Sequence, residues 1–223
     1  MSAMMTNREM NRAGRSVALL ALSGALAIPL GPAWGQNVGG QAAAASVNTR
    51  AAGAQTFAAA TLPPAGGMGE AEVDAATVAG TLGAAGLVSM TTGQLDDSLV
   101  TATATAEAAN VNILNGLITA KAVLALATSS ANGTRASSES AGSTLLSLVV
   151  AGVRYADGAP APNTRVQLPG VGYVILNERR ASGDGVHTSS LTVTMIHVYL
   201  VDPLTGVSLG EIVVGAATST ATL

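Results

Sequence analysis

Gly206-Val207-Ser208-Leu209-Gly210 has the spacing of the G-x-S-x-G turn, in which a strained strand-to-helix elbow exposes a serine for nucleophilic attack. Such a serine needs a general base, and the chain offers two histidines, His187 and His197. Neither follows Ser208, and the next residues, Glu211-Ile212-Val213-Val214, are strand formers where the elbow requires a helix. The match therefore reads as a turn of small residues. His187 stands beside a Gly-rich turn and reads as a surface residue. His197 alternates with Met195 and Tyr199 and reads as a strand-packing residue. A periplasmic hydrolase using Ser208 with either histidine is the alternative; no catalytic residue is assigned.

Carboxylates supply the other candidate chemistry. Glu70, Glu72 and Asp74 share one face of an extended chain and could gather around a hard cation such as calcium, which would make the protein a calcium-dependent binding module. The simpler reading is a solvated acidic face. Asp96-Asp97 and Gly183-Asp184-Gly185 lack the ligand spacing of a calcium loop and read as turns. With no cysteine and two histidines ten positions apart, zinc has no ligand set. No metal or cofactor site is assigned. Neither a Walker sequence nor a G-x-G-x-x-G fingerprint occurs, so nothing marks a phosphate or dinucleotide site.

What must position these residues begins with export. Arg8, Arg12 and Arg15 precede a mostly apolar run from Val17 to Leu30, the order of a secretory signal peptide. The run is too short for a spanning helix and contains Pro29, and Ala33-Trp34-Gly35 places small residues where a signal peptidase reads. The expectation is a signal peptide over residues 1–35, a mature chain from Gln36 in the periplasm, at the cell surface or outside, and no stable membrane span after cleavage. Removing Arg8, Arg12, Arg15 and Glu9 from ten basic and thirteen acidic side chains leaves seven and twelve, a charge of about −5. Such a surface repels nucleic acid, which is excluded as a partner.

Without cysteine the mature chain must hold itself together by its core. Phe57, Tyr155, Tyr173 and Tyr199 are its aromatics, so that core is expected to be packed from Val, Leu, Ile and Ala. Residues 36–69 are mainly Ala, Gly, Gln and Thr and close on Leu62-Pro63-Pro64; they read as a flexible arm, or as an edge strand given to this or a neighbouring molecule. Residues 70–223 read as one β domain. Thr101, Thr103 and Thr105 alternate with alanines, and Ile118, Ala120, Ala122, Leu124 and Leu126 are expected on one face of a strand between the turns Asn115-Gly116 and Asn132-Gly133. Asn132-Gly133-Thr134 also matches a glycosylation acceptor. Leu145 to Val150 reads as a strand covered on both faces. Two apolar runs hinged on Leu168-Pro169-Gly170 occupy the expected centre of the domain, followed by strands over 191–201 and around 211–214. The spacing of turns predicts an antiparallel β-sandwich, with an irregular barrel or β-solenoid as alternatives.

Pro162-Asn163-Thr164, Leu168-Pro169-Gly170-Val171-Gly172, Leu176-Asn177-Glu178, Leu191-Thr192-Val193, Ile196-His197-Val198 and Val213-Val214-Gly215 together resemble the choice-of-anchor P family of bacterial exported proteins. The resemblance covers roughly residues 110–217. It implies a β domain at the cell surface and no known activity, so it carries over no catalytic residue. The residues up to Leu223 include neither an apolar tail nor a sorting motif, so the attachment used by that family is not expected from them. The combined expectation is a non-catalytic structural or adhesive envelope protein that partners itself or other envelope proteins.

Overall fold

The computed structural model describes residues 35–223; the expected signal peptide, Gly35 apart, lies outside the described residues. Fourteen strands follow in order. They are β1 (Asn37–Thr49), β2 (Gly53–Thr61), β3 (Gly67–Val78), β4 (Leu82–Asp96), β5 (Leu99–Ile113), β6 (Ile118–Ala131) and β7 (Ala136–Glu139). After them come β8 (Thr144–Leu146), β9 (Val149–Val150), β10 (Val153–Arg154), β11 (Thr164–Leu168), β12 (Gly172–Gly183), β13 (Thr188–Val201) and β14 (Ser208–Thr222). Every ladder is antiparallel. The first sheet runs β11-β12-β13-β14-β1-β2 and the second β10-β9-β6-β5-β4-β3, with β7 and β8 also paired to β6. The two pack face to face as a β-sandwich, as expected.

Inner faces carry short side chains. Ala44, Ala45, Ala104, Ala106, Ala125 and Ala127 are buried beside Leu87, Ile113, Ile196 and Ile212. Ser129 lies between this core and a smaller cluster around Val38, Leu62, Val100 and Ala131. Its hydroxyl reaches Ser219 Oγ at 2.7 Å and Ser138 Oγ at 2.8 Å, so these three hydroxyls satisfy one another.

Residues 36–69 correct the expectation of a flexible arm. They form β1, β2 and the start of β3, and β1 is interior to its sheet, pairing with β14 on one side and β2 on the other. Composition misled because the segment's ordering entropy is offset by partners distant in sequence: Ala42, Ala44, Ala45 and Val47 are buried and β14 supplies the ladder. The hinge at Leu168-Pro169-Gly170 does form a tight turn, with Val171 N–H donating to the Leu168 carbonyl and Gly170 at φ 75°. It joins β11 to β12 at the sheet's end, however, not at its centre. The expected strand from Leu145 to Val150 is broken into β8 and β9 at Ser147, whose φ is 53°, and Leu146 is exposed. The last strand extends well past Val214, to Thr222.

One irregularity organises both sheets. In the first, Ala58, Asn177 and Gly215 take left-handed φ values of 47°, 50° and 67° within strands whose register does not slip. Ala44 faces Gly215 and Ala58, and Met195 faces Asn177 and Gly215, so these residues form one row across five strands. On each side of the row the inward parity changes. Burial follows even numbers up to Ala44 in β1 and odd numbers from Ala45; in β13 it passes from Met195 to Ile196. Two consecutive residues thus point inward and the backbone bows toward the opposite sheet. Gly215 marks a close approach, since a Cβ there would lie 2.8 Å from Val123 Cγ1.

The second sheet has the complementary crease. Gly86 at φ 54° stands opposite Asp74 and Asn110 at φ 50° opposite Lys121, the register slips between β4 and β5 beside them, and in each of the four strands two consecutive residues point outward. This corrects the expected face of β6: Ile118 and Ala120 point inward, whereas Ala122, Leu124 and Leu126 lie on the outer face and Val123 and Ala125 are buried. Gly215 of the first sheet thus faces Val123 and Ala125 of β6, just past Lys121.

Candidate functional site

The crease in the first sheet decides where its polar side chains go. Asn177 reverses the alternation of β12, turning Glu178 and Arg180 to the outer face, where Tyr173 also lies. On β13 the same reversal turns His197 and Tyr199 outward, and β14 contributes Glu211 opposite Tyr199. Because the row bows inward, its outer side is a hollow, lined by Glu178, Arg180, Thr192, Thr194 and His197.

These groups converge on one carboxylate. Glu178 Oε2 is 2.6 Å from His197 Nδ1, Glu178 Oε1 accepts from Arg180 Nη2 at 2.6 Å, and the Tyr199 hydroxyl donates at 3.3 Å. The second imidazole nitrogen, Nε2, is 3.0 Å from Glu211 Oε2. Both imidazole nitrogens therefore face carboxylate oxygens. The Glu178 and His197 side chains are only 10% and 12% exposed, although both stand on an outer face. Burial pushes the Glu178 carboxyl up, but the hydrogen bond from His197 and then that from Arg180 outweigh it and leave the group below its ordinary value. Burial, and after it the charge of Glu178, pushes the Tyr199 phenol up to about 12.

The rings extend the cluster sideways. Tyr199 stacks on His197 with centroids 4.0 Å apart and on Tyr173 at 4.7 Å, and the Arg165 guanidinium lies 3.8 Å over Tyr173. Four neighbouring strands, β11 to β14, are therefore joined through side chains on one face. Both faces of the Tyr199 ring are taken by its neighbours, and one face of Tyr173 is covered by Arg165, which leaves little aromatic surface for stacking on a sugar or base. Beyond Thr192 the face continues as paired hydroxyls, Thr192 with Thr218 at 3.0 Å and Ser190 with Thr220 at 2.8 Å.

The residues singled out in the sequence fall elsewhere, His197 apart. Ser208 is exposed at the start of β14 opposite Val201, whereas His197 sits opposite Val213, five residues or roughly 16 Å further along the strand. His187 precedes β13, whose first residue Thr188 pairs with Thr222 at the other end of β14 from Ser208. The fold does not bring this serine to either histidine. Asp184 instead closes the turn before β13: its Oδ1 accepts from the backbone N–H groups of Thr188, Val186 and His187 at 2.8, 2.9 and 2.7 Å. Those bonds, Thr188's foremost, hold its carboxyl well below the usual range. Asp96 Oδ1 accepts from Ser98 in the turn between β4 and β5, and Asp202 does the same for Leu204 and Thr205 between β13 and β14. Asn132 Oδ1 accepts from Thr134 and Arg135 in an exposed turn.

Glu70, Glu72 and Asp74 do share the exposed face of β3, as their alternation predicts. Among the described residues no three His, Cys, Asp or Glu side chains are grouped closely enough to hold a metal ion. Glu178, Arg180, Glu211 and the two stacked tyrosines were not legible as a group. The signal available was weak: charge at Glu178-Arg179-Arg180 inside a strand, and the alternation of His197 with Tyr199. No family model matches the chain, and neither a curated protein nor a solved structure does.

Proposed function

We propose that this chain is an exported, non-catalytic structural or adhesive protein of the bacterial envelope or its exterior. The observation that carries the reading is the internal saturation of the Glu178 cluster. Its carboxylate is claimed by an imidazole, a guanidinium and a phenol and its histidine at both nitrogens; the imidazole and phenol contacts tie neighbouring strands together, while Arg180 braces Glu178 from the same strand. A general base needs a nitrogen or oxygen open to substrate, and this arrangement spends them on cohesion. Support also comes from the arginine-then-apolar order of the first 30 residues, the cysteine-free small-residue core and the turn and strand motifs that resemble those of the choice-of-anchor P proteins.

The test has two arms. Expressed in a bacterial host with its own N-terminus, the chain should be recovered from the envelope or the medium and be sensitive to protease added to intact cells. Against a broad panel of ester, peptide and glycoside substrates the purified protein should show no turnover. Recovery in the cytoplasm alone would remove the export part, and activity abolished by Ser208→Ala or His197→Ala would replace the structural part with an enzyme.

A further inference from the structure

β2 ends the first sheet, and its first half is bare. Gly53, Ala54, Gln55 and Thr56 are exposed and Phe57 is half-buried, whereas Ala58 and Ala60 beyond the crease are buried. A terminal strand turns alternate N–H and C=O groups outward, and proteins ordinarily guard such edges with charge or proline. The other three terminal strands are guarded: β3 by Glu70, Glu72 and Asp74, β10 by Arg154 and β11 by Arg165. Along β2, Gly-Ala-Gln-Thr-Phe-Ala-Ala-Ala-Thr, there is neither. Charge has been left unpaired close by. Arg50 in the turn before β2, and the acidic strip on β3, form no ion pair among the described residues. β3 passes the far end of β2, where Gly69 abuts the Thr61 carbonyl so closely that a Cβ would not fit, and Glu70 follows it on the exposed face of β3.

We propose that two copies of this chain pair edge to edge through Gly53–Phe57, antiparallel about a two-fold axis near Gln55, so that their two six-stranded sheets become one. In this register the Arg50 of each copy reaches the Thr61 end of its neighbour's β2, where Glu70 opens the acidic strip, and the symmetry makes the contact twice. An unrelated extended peptide would satisfy the backbone of one edge; a second copy satisfies two edges and brings the cation the strip lacks. The paired stretch is short, which places the contact at the small end of interfaces, so the pair dissociates on dilution. Where the chain resides does not enter, and the pairing holds or fails apart from the proposed function.

Sedimentation of the full chain over a range of concentrations tests it. The expected result is a mass rising from one chain to two and no further. Ala54→Lys with Thr56→Lys, both at exposed positions, should hold the protein at one chain throughout while its circular dichroism stays unchanged. Arg50→Glu should weaken the association at least severalfold, and Glu70→Lys added to it should restore the pair. A chain that stays single at all concentrations, a dimer indifferent to the two lysines, or growth beyond two copies would each overturn the proposal.

Discussion

Both sheets reverse their pleat at left-handed residues, the first in continuous register and inward, the second beside a register slip between β4 and β5 and outward, and their outer faces differ accordingly. In the first sheet the row through Asn177, Met195 and Gly215 bows inward, its outer side is hollow, and Glu178, His197, Arg180 and Glu211 meet there across three strands. In the second sheet the reversal at the pairs Asp74 with Gly86 and Asn110 with Lys121 turns consecutive residues outward. Its carboxylates at Glu70, Glu72, Asp74 and Glu107 make no ion pairs among the described residues. Convergence therefore comes from backbone shape and not from the number of charges. A reversal of pleat gathers side chains on its concave side and spreads them on its convex side.

Several substitutions would break or sharpen this contrast. The largest effect is expected at the gathered carboxylate. Glu178→Ala leaves His197 and Arg180 facing an empty position and should cost about 3–5 kcal/mol in urea unfolding, the range for removing one member of a buried ion pair. A loss under about 1 kcal/mol would mean that the cluster decorates the sheet without holding it.

Next are the two crease glycines. Gly215→Ala forces a left-handed alanine and drives its Cβ against Val123, so a loss of about 2–4 kcal/mol is expected. Gly86→Ala meets only an ordinary contact, Ala109 Cβ at 3.8 Å, and should cost about 1–2 kcal/mol from the backbone alone. Equal losses would mean that the sheets do not nest where the first one bows.

Titration separates the regions in a third way. Because Glu178 lies below its ordinary 4.5 when folded, its contribution is complete above about that pH and is lost as the pH falls through the lower folded value. Tyr199 acts at the other limb: raised from 10 to about 12, it contributes fully below 10 and loses that contribution as the pH climbs between the two. Stability measured across pH should show both limbs in the parent, and Tyr199→Phe should flatten the alkaline one. The smallest effects belong to exposed partners. Arg180→Ala should cost less than about 1 kcal/mol, since that side chain is 71% exposed. Glu72→Ala on the convex side should stay within about 0.5 kcal/mol of the parent.

Much of the architecture was legible because its signals are local. Pro169-Gly170 and Asn132-Gly133 mark turns through the φ values those residues favour, and the alternation around Thr101 to Ala106 gives a strand whatever its partners. The creases were not legible. A left-handed residue in a continuous strand is announced by no composition when it is Ala58, and Asn177 and Asn110 read as ordinary polar positions. Each shifts the inward face by one residue, so the face of β6 and the grouping of Glu178 with His197 were both lost. The placement of residues 36–69 failed for a different reason. Their propensity is weak, and only the distant β14 and the buried face of the opposite sheet settle them into strands.

The pairing of Asn37 with Thr222 and of Thr49 with Gly210 seats the earliest described strand against the last. Until β14 is in place, β1 has no neighbour on that side and β13 lacks its second partner. A sheet closed by so distant a pairing gains its stability only when both segments have met.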